Sequence, residues 1–315
     1  MPWTTHNDAR AKDEARASGM RYARTTRTAA KRRRVEVNKD RATGCLVGAA
    51  VGDTLGAVLE FSKRNMGPQL TEIIPWRYGP AGSPTDDTDQ TILLAETIRD
   101  GWNPSTFLEK LVKWSQNALD IGNHTLKVMR LADFRHPFKA SEQAWIASGR
   151  RAAPNGSLMR TAAVGVYTDN PDRCAKVAEE ASKVTHFDPR CIAACQVASE
   201  IIRQKVWEQP LKVEAQDEEV VATVRSAMKQ EPREYDGDDC GFVLHALHIA
   251  LRAFFLGRPF EESLIWVVNQ GGDTDTNGCI AGALLGARDG LKAIPERWRS
   301  ACQSTQKMLD LVDTA

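Results

Sequence analysis

The sequence predicts an all-α fold, on three observations. Segments rich in Ala and Leu recur from residue 42 onward, and their apolar residues stand three and four apart. Alternating β-type patterns are scarce, and β-branched residues are diluted by Ala. Small residues also repeat inside the apolar segments, as in Gly48, Ala49, Ala50, Gly52 and Gly56, and again in Gly282, Ala283, Gly286 and Ala287. An isolated glycine costs a helix about 1 kcal/mol relative to alanine, so its repetition predicts helices packed closely together, deep in the body. In order, the helical segments are 45–61, 91–99, 105–119, 158–167, 172–184, 189–204, 240–256, 260–268 and 278–291. In 105–119 the spacing puts Phe107, Leu108, Leu111, Val112 and Leu119 largely on one face. The stretch 207–239 is polar and acidic (Glu214, Asp217, Glu218, Glu219, Asp236, Asp238, Asp239) and reads as a surface excursion. No internal repeat is visible.

Length and charge divide the chain. Its 315 residues suffice for a sizeable core, and 42% hydrophobic with 26% charged residues is an ordinary globular composition. No run approaches 18 apolar residues and the first eleven residues hold no apolar segment, so neither a membrane span nor a secretory signal is expected. The seven cysteines form no C-x-x-C pair, which predicts reduced thiols and a cytoplasmic protein. The net charge of +1 hides an asymmetry, because residues 1–40 carry eleven Lys/Arg against five Asp/Glu. The rest holds 31 of the 42 basic and 36 of the 41 acidic residues. The expected organisation is therefore a basic extension, 1–40, on one domain, 41–315. The extension has few large apolar residues and cannot fold alone. Its run Lys31-Arg32-Arg33-Arg34 suits phosphate or an acidic protein face, or is a solvated tail. No recognition module accompanies the charge, so nucleic acid is not an expected partner.

Two stretches break the helical composition in the same way. Ser83-Pro84-Thr85-Asp86-Asp87-Thr88-Asp89-Gln90 precedes the segment at 91, and Gln270-Gly271-Gly272-Asp273-Thr274-Asp275-Thr276-Asn277-Gly278 leads into the segment at 278. Asp and Thr at a helix N-terminus satisfy free N–H groups. Capping accounts for one or two such residues, not for clustered acids between apolar helices. Adjacent buried carboxylates repel and raise each other's pKa unless a cation neutralises them. All-oxygen Asp/Thr sets select hard cations such as Mg²⁺, Mn²⁺ or Ca²⁺, and the two clusters could close around one binuclear site. The Gly and distal Glu of an EF-hand loop are missing, as are G-x-x-x-x-G-K-[ST], H-E-x-x-H and G-x-S-x-G. His245 and His248 lack the partners of a zinc set and read as structural histidines.

The chain resembles the ADP-ribosylglycohydrolase family over roughly residues 43–292. The motifs that carry the likeness are Gly44-Cys45-Leu46-Val47-Gly48-Ala49-Ala50-Val51-Gly52-Asp53 with Gly56 through Glu60, then Thr85-Asp86-Asp87-Thr88 with Gln90. Asp120-Ile121-Gly122-Asn123, Asn155-Gly156-Ser157-Leu158-Met159-Arg160, Thr185-His186 and Gly271-Gly272-Asp273-Thr274-Asp275-Thr276 follow in order. Six motifs in sequence make the resemblance specific.

What the resemblance implies is a compact orthogonal helical bundle with two divalent cations, Mg²⁺ first and Mn²⁺ second, in a central cleft. Thr85, Asp86 and Asp87 would bind metal from one side, and Asp273, Asp275 and Thr276 from the other. The implied reaction is hydrolysis of the bond between the ribose anomeric carbon of ADP-ribose and a protein side chain. Asp273 or Asp87 would take a proton from water, and Glu60 matches a glutamate that closes over the site in some relatives. Asn155, Gly156 and Ser157, at the start of the segment bearing Met159, look like a phosphate-contact loop. Gly122 and His186 would lie against the ligand. Arg160 would either serve the ligand or pair with the acidic site. Asp120 stands where arginine-directed relatives carry an acid, so it tilts the substrate towards ADP-ribosylated arginine. The resemblance also implies a role for the extension, because some extended bacterial relatives are immunity proteins whose N-terminus plugs an ADP-ribosyltransferase toxin. The alternatives are an inactive family member that binds through its arm, and a structural protein.

Overall fold

The computed structural model describes residues 36–313. The basic extension, and the toxin-binding role expected of it, lie outside the described residues up to residue 35. Among the described residues there are fourteen α-helices and no strands. They are α1 (Lys39–Gly56), α2 (Asp86–Arg99), α3 (Pro104–Ser115), α4 (Asn123–Arg130), α5 (Lys139–Ala147), α6 (Ala162–Tyr167) and α7 (Pro171–Lys183). The remainder are α8 (Pro189–Val206), α9 (Glu218–Met228), α10 (Val243–Leu256), α11 (Phe260–Val268), α12 (Thr274–Asp289), α13 (Glu296–Ala301) and α14 (Thr305–Asp313).

The centre of the fold is α1 against α12, running antiparallel, and glycine makes the approach. A Cβ at Gly44, Gly48, Gly52 or Gly56 would stand 2.7, 2.3, 1.9 and 2.2 Å from the carbonyl oxygens of Gly286, Gly282, Gly278 and Thr274. No side chain fits at such distances, so the four-residue glycine spacing in both helices is a packing seam. The seam brings the C-terminal end of α1 beside the N-terminal end of α12, which is where the site is built. Burial on all sides also explains why α1 has no amphipathic face.

Several expectations need correction. The helix from Lys39 with its 3₁₀ extension to Leu59 is long and apolar enough, by length and composition, to cross a membrane. Its apolar window is 83% buried inside the protein, as befits a core helix rich in Gly and Ala. The helix after Ser83 begins at Asp86 and not at 91, and the last glycine-rich helix begins at Thr274 and not at 278, so Asp86, Asp87, Asp89 and Asp275 sit in first turns and Asp273 at the cap position of α12. Helix α3 stops at Ser115, and Leu119 is 80% exposed in the turn that follows instead of on the core face. The polar stretch 207–239 contains α9, whose Val220, Val224 and Ala227 are buried. Helices α4, α5, α13 and α14 carried no helical expectation. They are short, and although α4 and α14 are strongly one-sided, helices of this length depend on burial against neighbours for their stability.

Candidate active site

The site starts with a cap supplied by another helix. Thr85 N-caps α2, its hydroxyl accepting from the Asp87 N–H at 3.2 Å. Asp53, fully buried in α1, accepts the N–H groups of Thr85 (3.2 Å) and Thr88 (3.1 Å). The N–H groups of Thr85, Asp87 and Thr88 are thereby satisfied, and the side chains of Asp86 and Asp87 are left for other work. Asp53 carried no assigned role in the sequence reading beyond its motif. The signal that could have found it is a lone charged side chain in the otherwise uncharged run 42–59.

The second cluster is brought in by backbone pairing. Gly272 donates to Ser62 (2.8 Å) and accepts from Phe61 (2.7 Å), which sets Glu60 beside Asp273 and Asp275. Gly271 and Gly272 have φ of +76° and +77°, and a Cβ on Gly272 would lie 2.0 Å from the Tyr235 carbonyl oxygen. Carboxylate oxygens of Glu60, Asp273 and Asp275 all lie within 4.8 Å of one another. The two clusters meet where the Thr276 hydroxyl approaches Asp87 Oδ2 at 3.3 Å. The Thr85 hydroxyl reaches the same oxygen at 3.2 Å. Asp87 Oδ1 is buried and has no hydrogen-bond partner among the described residues.

The electrostatics follow from that crowding. Burial, then the neighbouring acids, push Asp86, Asp87 and Asp275 well above the usual carboxylate range. Burial raises Asp53 to about 6 against the hydrogen bonds from Thr88 and Thr85. Glu60 rises to about 8 through burial and the charges of Asp120, Asp273 and Asp53. Asp120 is raised by burial and by Asp273. Such a set is short of positive charge, and its donors are all oxygen. The buried orphan Oδ1 of Asp87 and the Glu60–Asp273–Asp275 triad fit a hard divalent cation.

The expected substrate residues surround the acids. Asn155 begins a 3₁₀ turn, Asn155–Ser157, and donates its side-chain amide to Asp273 Oδ2 at 2.8 Å. Gly156 lies on the His186 ring, where a Cβ would be 3.2 Å from Nε2. Ser157 and Met159 are buried behind the turn, so their side chains support it. The Ser157 hydroxyl accepts from Ser182 at 3.0 Å. Gly122 has open space around it, and its N–H donates to Asp86. A cleft of about 630 Å³ opens beside the acids, with Thr85, Asp86, Asp89, Trp114 and Asp120 among its walls. Among the described residues Arg160 pairs with no carboxylate directly. It is fully buried and reaches the acids through Gln90. His248, between Tyr235 and Ser226, and His245, against Asp239, are structural as expected.

The sequence pattern of the ADP-ribosylglycohydrolase family matches residues 34–315. The chain belongs to the ADP-ribosylglycohydrolase family. It is 27% identical over 271 residues to the ADP-ribosyl-[dinitrogen reductase] glycohydrolase of Rhodospirillum rubrum, covering 83% of this chain and 90% of that protein. It is 26% identical over 300 residues to the ADP-ribosylarginine hydrolase Tri1 of Serratia proteamaculans, covering 87% and 78%. A solved structure titled ADP-ribosylglycohydrolase-related protein complex superposes with a TM-score of 0.71 at 28% identity, over 88% of this chain and 96% of that one. The all-α glycohydrolase fold expected from the motifs is thus the fold observed, with its acidic centre able to hold metal.

Proposed function

We propose that the protein is a divalent-metal-dependent hydrolase that removes ADP-ribose from modified side chains of other proteins, with arginine as the preferred linkage. The observation that carries this reading is the meeting of the first-turn acids of α2 and α12 at the Asp87–Thr276 contact. Thr85, Asp86 and Asp87 would hold metal from one side and Asp273, Asp275 and Thr276 from the other, with Glu60 at the edge, and Mg²⁺ or Mn²⁺ suits the donors. When bound, such cations supply Lewis acidity that orients ribose hydroxyls and makes a water more acidic.

The chain's own residues divide the remaining work. Asp273 is hydrogen-bonded by Asn155 and is 8% exposed, whereas Asp87 is 1% exposed. We therefore assign Asp273 as the base that takes the proton from the attacking water. The water oxygen bonds to the anomeric carbon as the bond to nitrogen breaks, and the guanidine nitrogen is protonated as it leaves. The carboxylates favour the positive charge that develops on the sugar. The turn Asn155–Ser157 with His186 is assigned to the diphosphate, Gly122 to close approach of the ligand, and Asp120 to the guanidinium.

Two further parts of the reading concern the cell. We take the protein to be cytoplasmic, since its seven cysteines are unpaired. The basic residues 1–40 are proposed to plug the active site of an ADP-ribosyltransferase toxin, supported by their charge alone. Deleting residues 1–35, which removes most of the extension and spares the Asn38 cap and first turn of α1, abolishes toxin binding and leaves hydrolysis intact if this is right, and unchanged binding would refute it.

The test of the main reading is release of ADP-ribose from arginine-modified protein with Mg²⁺ and with EDTA, beside a serine-modified control. Metal-dependent release from arginine alone is the expected result. Release from serine keeps the hydrolase and discards the role of Asp120. No release from either favours the alternative of a binding protein.

A further inference from the structure

Arg160 is buried at the junction of two hydrogen-bond chains. Its Nη1 donates to Gln90 Oε1 at 2.6 Å and its Nη2 to the Thr185 hydroxyl at 2.6 Å. Further bonds run to the carbonyls of Gly156 (3.3 Å) and Ala181 (3.0 Å), and the guanidinium lies 5.2 Å from the centre of the Phe107 ring. A guanidinium has donors and no acceptor. Whatever touches it must accept, and that constraint passes outward along both chains.

On the first chain, the oxygen of the Gln90 amide is held by Arg160, so its NH₂ must face the other way. It donates to Asp86 Oδ2 at 2.9 Å. On the second, Thr185 is fully buried, and its hydroxyl accepts from Arg160 and lies 2.7 Å from His186 Nδ1. Among the described residues that nitrogen is the one acceptor available to the hydroxyl proton. If the hydroxyl accepted from His186 as well, its own proton would be buried without a partner, an arrangement that buried polar groups avoid. Thr185 therefore donates, Nδ1 accepts, and the ring proton sits on Nε2, the nitrogen beside Gly156 in the Asn155–Ser157 turn.

We propose that Arg160 is a positioning residue that sets the donor–acceptor direction of both chains, holding Asp86 through Gln90 and presenting the His186 Nε2–H to the turn through Thr185. One donor-only side chain thus orients a candidate metal ligand on one side and a donor for an anionic ligand on the other. The second half rests on the proposed diphosphate role of the turn, whereas the tautomer itself does not.

The experiment uses the full chain with ¹⁵N-labelled histidine, read by long-range ¹H–¹⁵N spectra, together with calorimetric binding of Mn²⁺ and of ADP-ribose. The expected wild-type spectrum has His186 Nδ1 bare and Nε2 protonated. Thr185→Val keeps the shape and loses the donor. It should shift His186 away from that tautomer and weaken ADP-ribose about tenfold, with Mn²⁺ binding unchanged. Thr185→Ser should restore both. Gln90→Met should weaken Mn²⁺ about tenfold and leave the His186 spectrum as it is. Arg160→Lys should disturb both readouts, and if it fails to fold the other variants decide. A wild-type His186 protonated on Nδ1, or a spectrum that Thr185→Val does not move, overturns the proposal. Wild-type protein that binds no ADP-ribose refutes the proposed function instead, and the nitrogen spectrum still decides the relay.

Discussion

Gly52→Ala tests whether the α1–α12 seam builds the site. The new Cβ would stand 1.9 Å from the Gly278 carbonyl oxygen, and that oxygen is backbone and cannot rotate away. Carbon–oxygen contacts settle at about 3.3 Å or more, so the helices must part locally by roughly 1.4 Å. Overpacking of this kind costs about 1–3 kcal/mol and more where backbone must move. Replacing glycine by alanine in a helix returns about 1 kcal/mol; because backbone must move here, the clash lies at or above the top of its range and wins by about 2 kcal/mol or more. For a domain of this size that lowers the melting temperature by roughly 4–8 °C. Because Asp53 follows Gly52 directly and Asp275 lies one turn before Gly278, Mn²⁺ affinity should fall as well. Differential scanning calorimetry gives the first quantity and isothermal titration the second. Gly67→Ala is the control, since its Cβ would meet only the Asn65 side chain at 3.4 Å. A Gly52→Ala protein that melts within about 1 °C of wild type would refute the packing argument.

Three further outcomes are expected. Asp273→Asn should lower kcat by about 10²-fold or more, because it removes the proposed base and one proposed metal ligand together; single-turnover release at saturating Mg²⁺ measures it, and wild-type kcat would return the role to Asp87. Asp120→Asn should raise KM for arginine-linked substrate by about tenfold or more, as expected for loss of a charge-assisted pair, and steady-state kinetics on modified protein reads it; an unchanged KM would remove Asp120 from recognition. Stability without metal should fall as pH rises. Glu60 at about 8 and Asp53 at about 6 both exceed ordinary carboxylates, so the folded state holds protons that the unfolded state has released. Their stabilisation is complete below pH 4 and is lost as pH climbs through 6 and 8. Thermal melts in EDTA should show this decline and Mg²⁺ should flatten it; a rise in melting temperature across that range in EDTA would contradict the burial of these acids.

Much of the site was legible in the chain, for identifiable reasons. Clustered acids and threonines between apolar helices exceed what capping needs, and the structure bears this out: Thr85 makes the cap while the Asp86 and Asp87 side chains turn elsewhere. The small residues repeated in 48–56 and 282–287 foretold close helix packing, because only a tight backbone approach compensates for repeated glycine, and the structure extends the seam to Gly44 and Gly278. Less was legible around 116–147 and 207–239. There the helices are short, and their burial depends on partners far away in sequence. Leu119 illustrates the point, since helical spacing alone puts it in the core and the end of α3 at Ser115 carries it out.

By itself, the sequence determined the helical class, the two acidic clusters and the family to which the chain belongs, because periodicity, composition and ordered motifs are local properties. The tertiary structure decided what those residues are to one another. It made Asp53 a cap for a helix it does not belong to, set Glu60 beside Asp273 through a backbone pair, and tied Asp86 to His186 through Arg160. Those relations join residues from about 30 to more than 200 positions apart, and they are produced by helix packing, which no local pattern encodes.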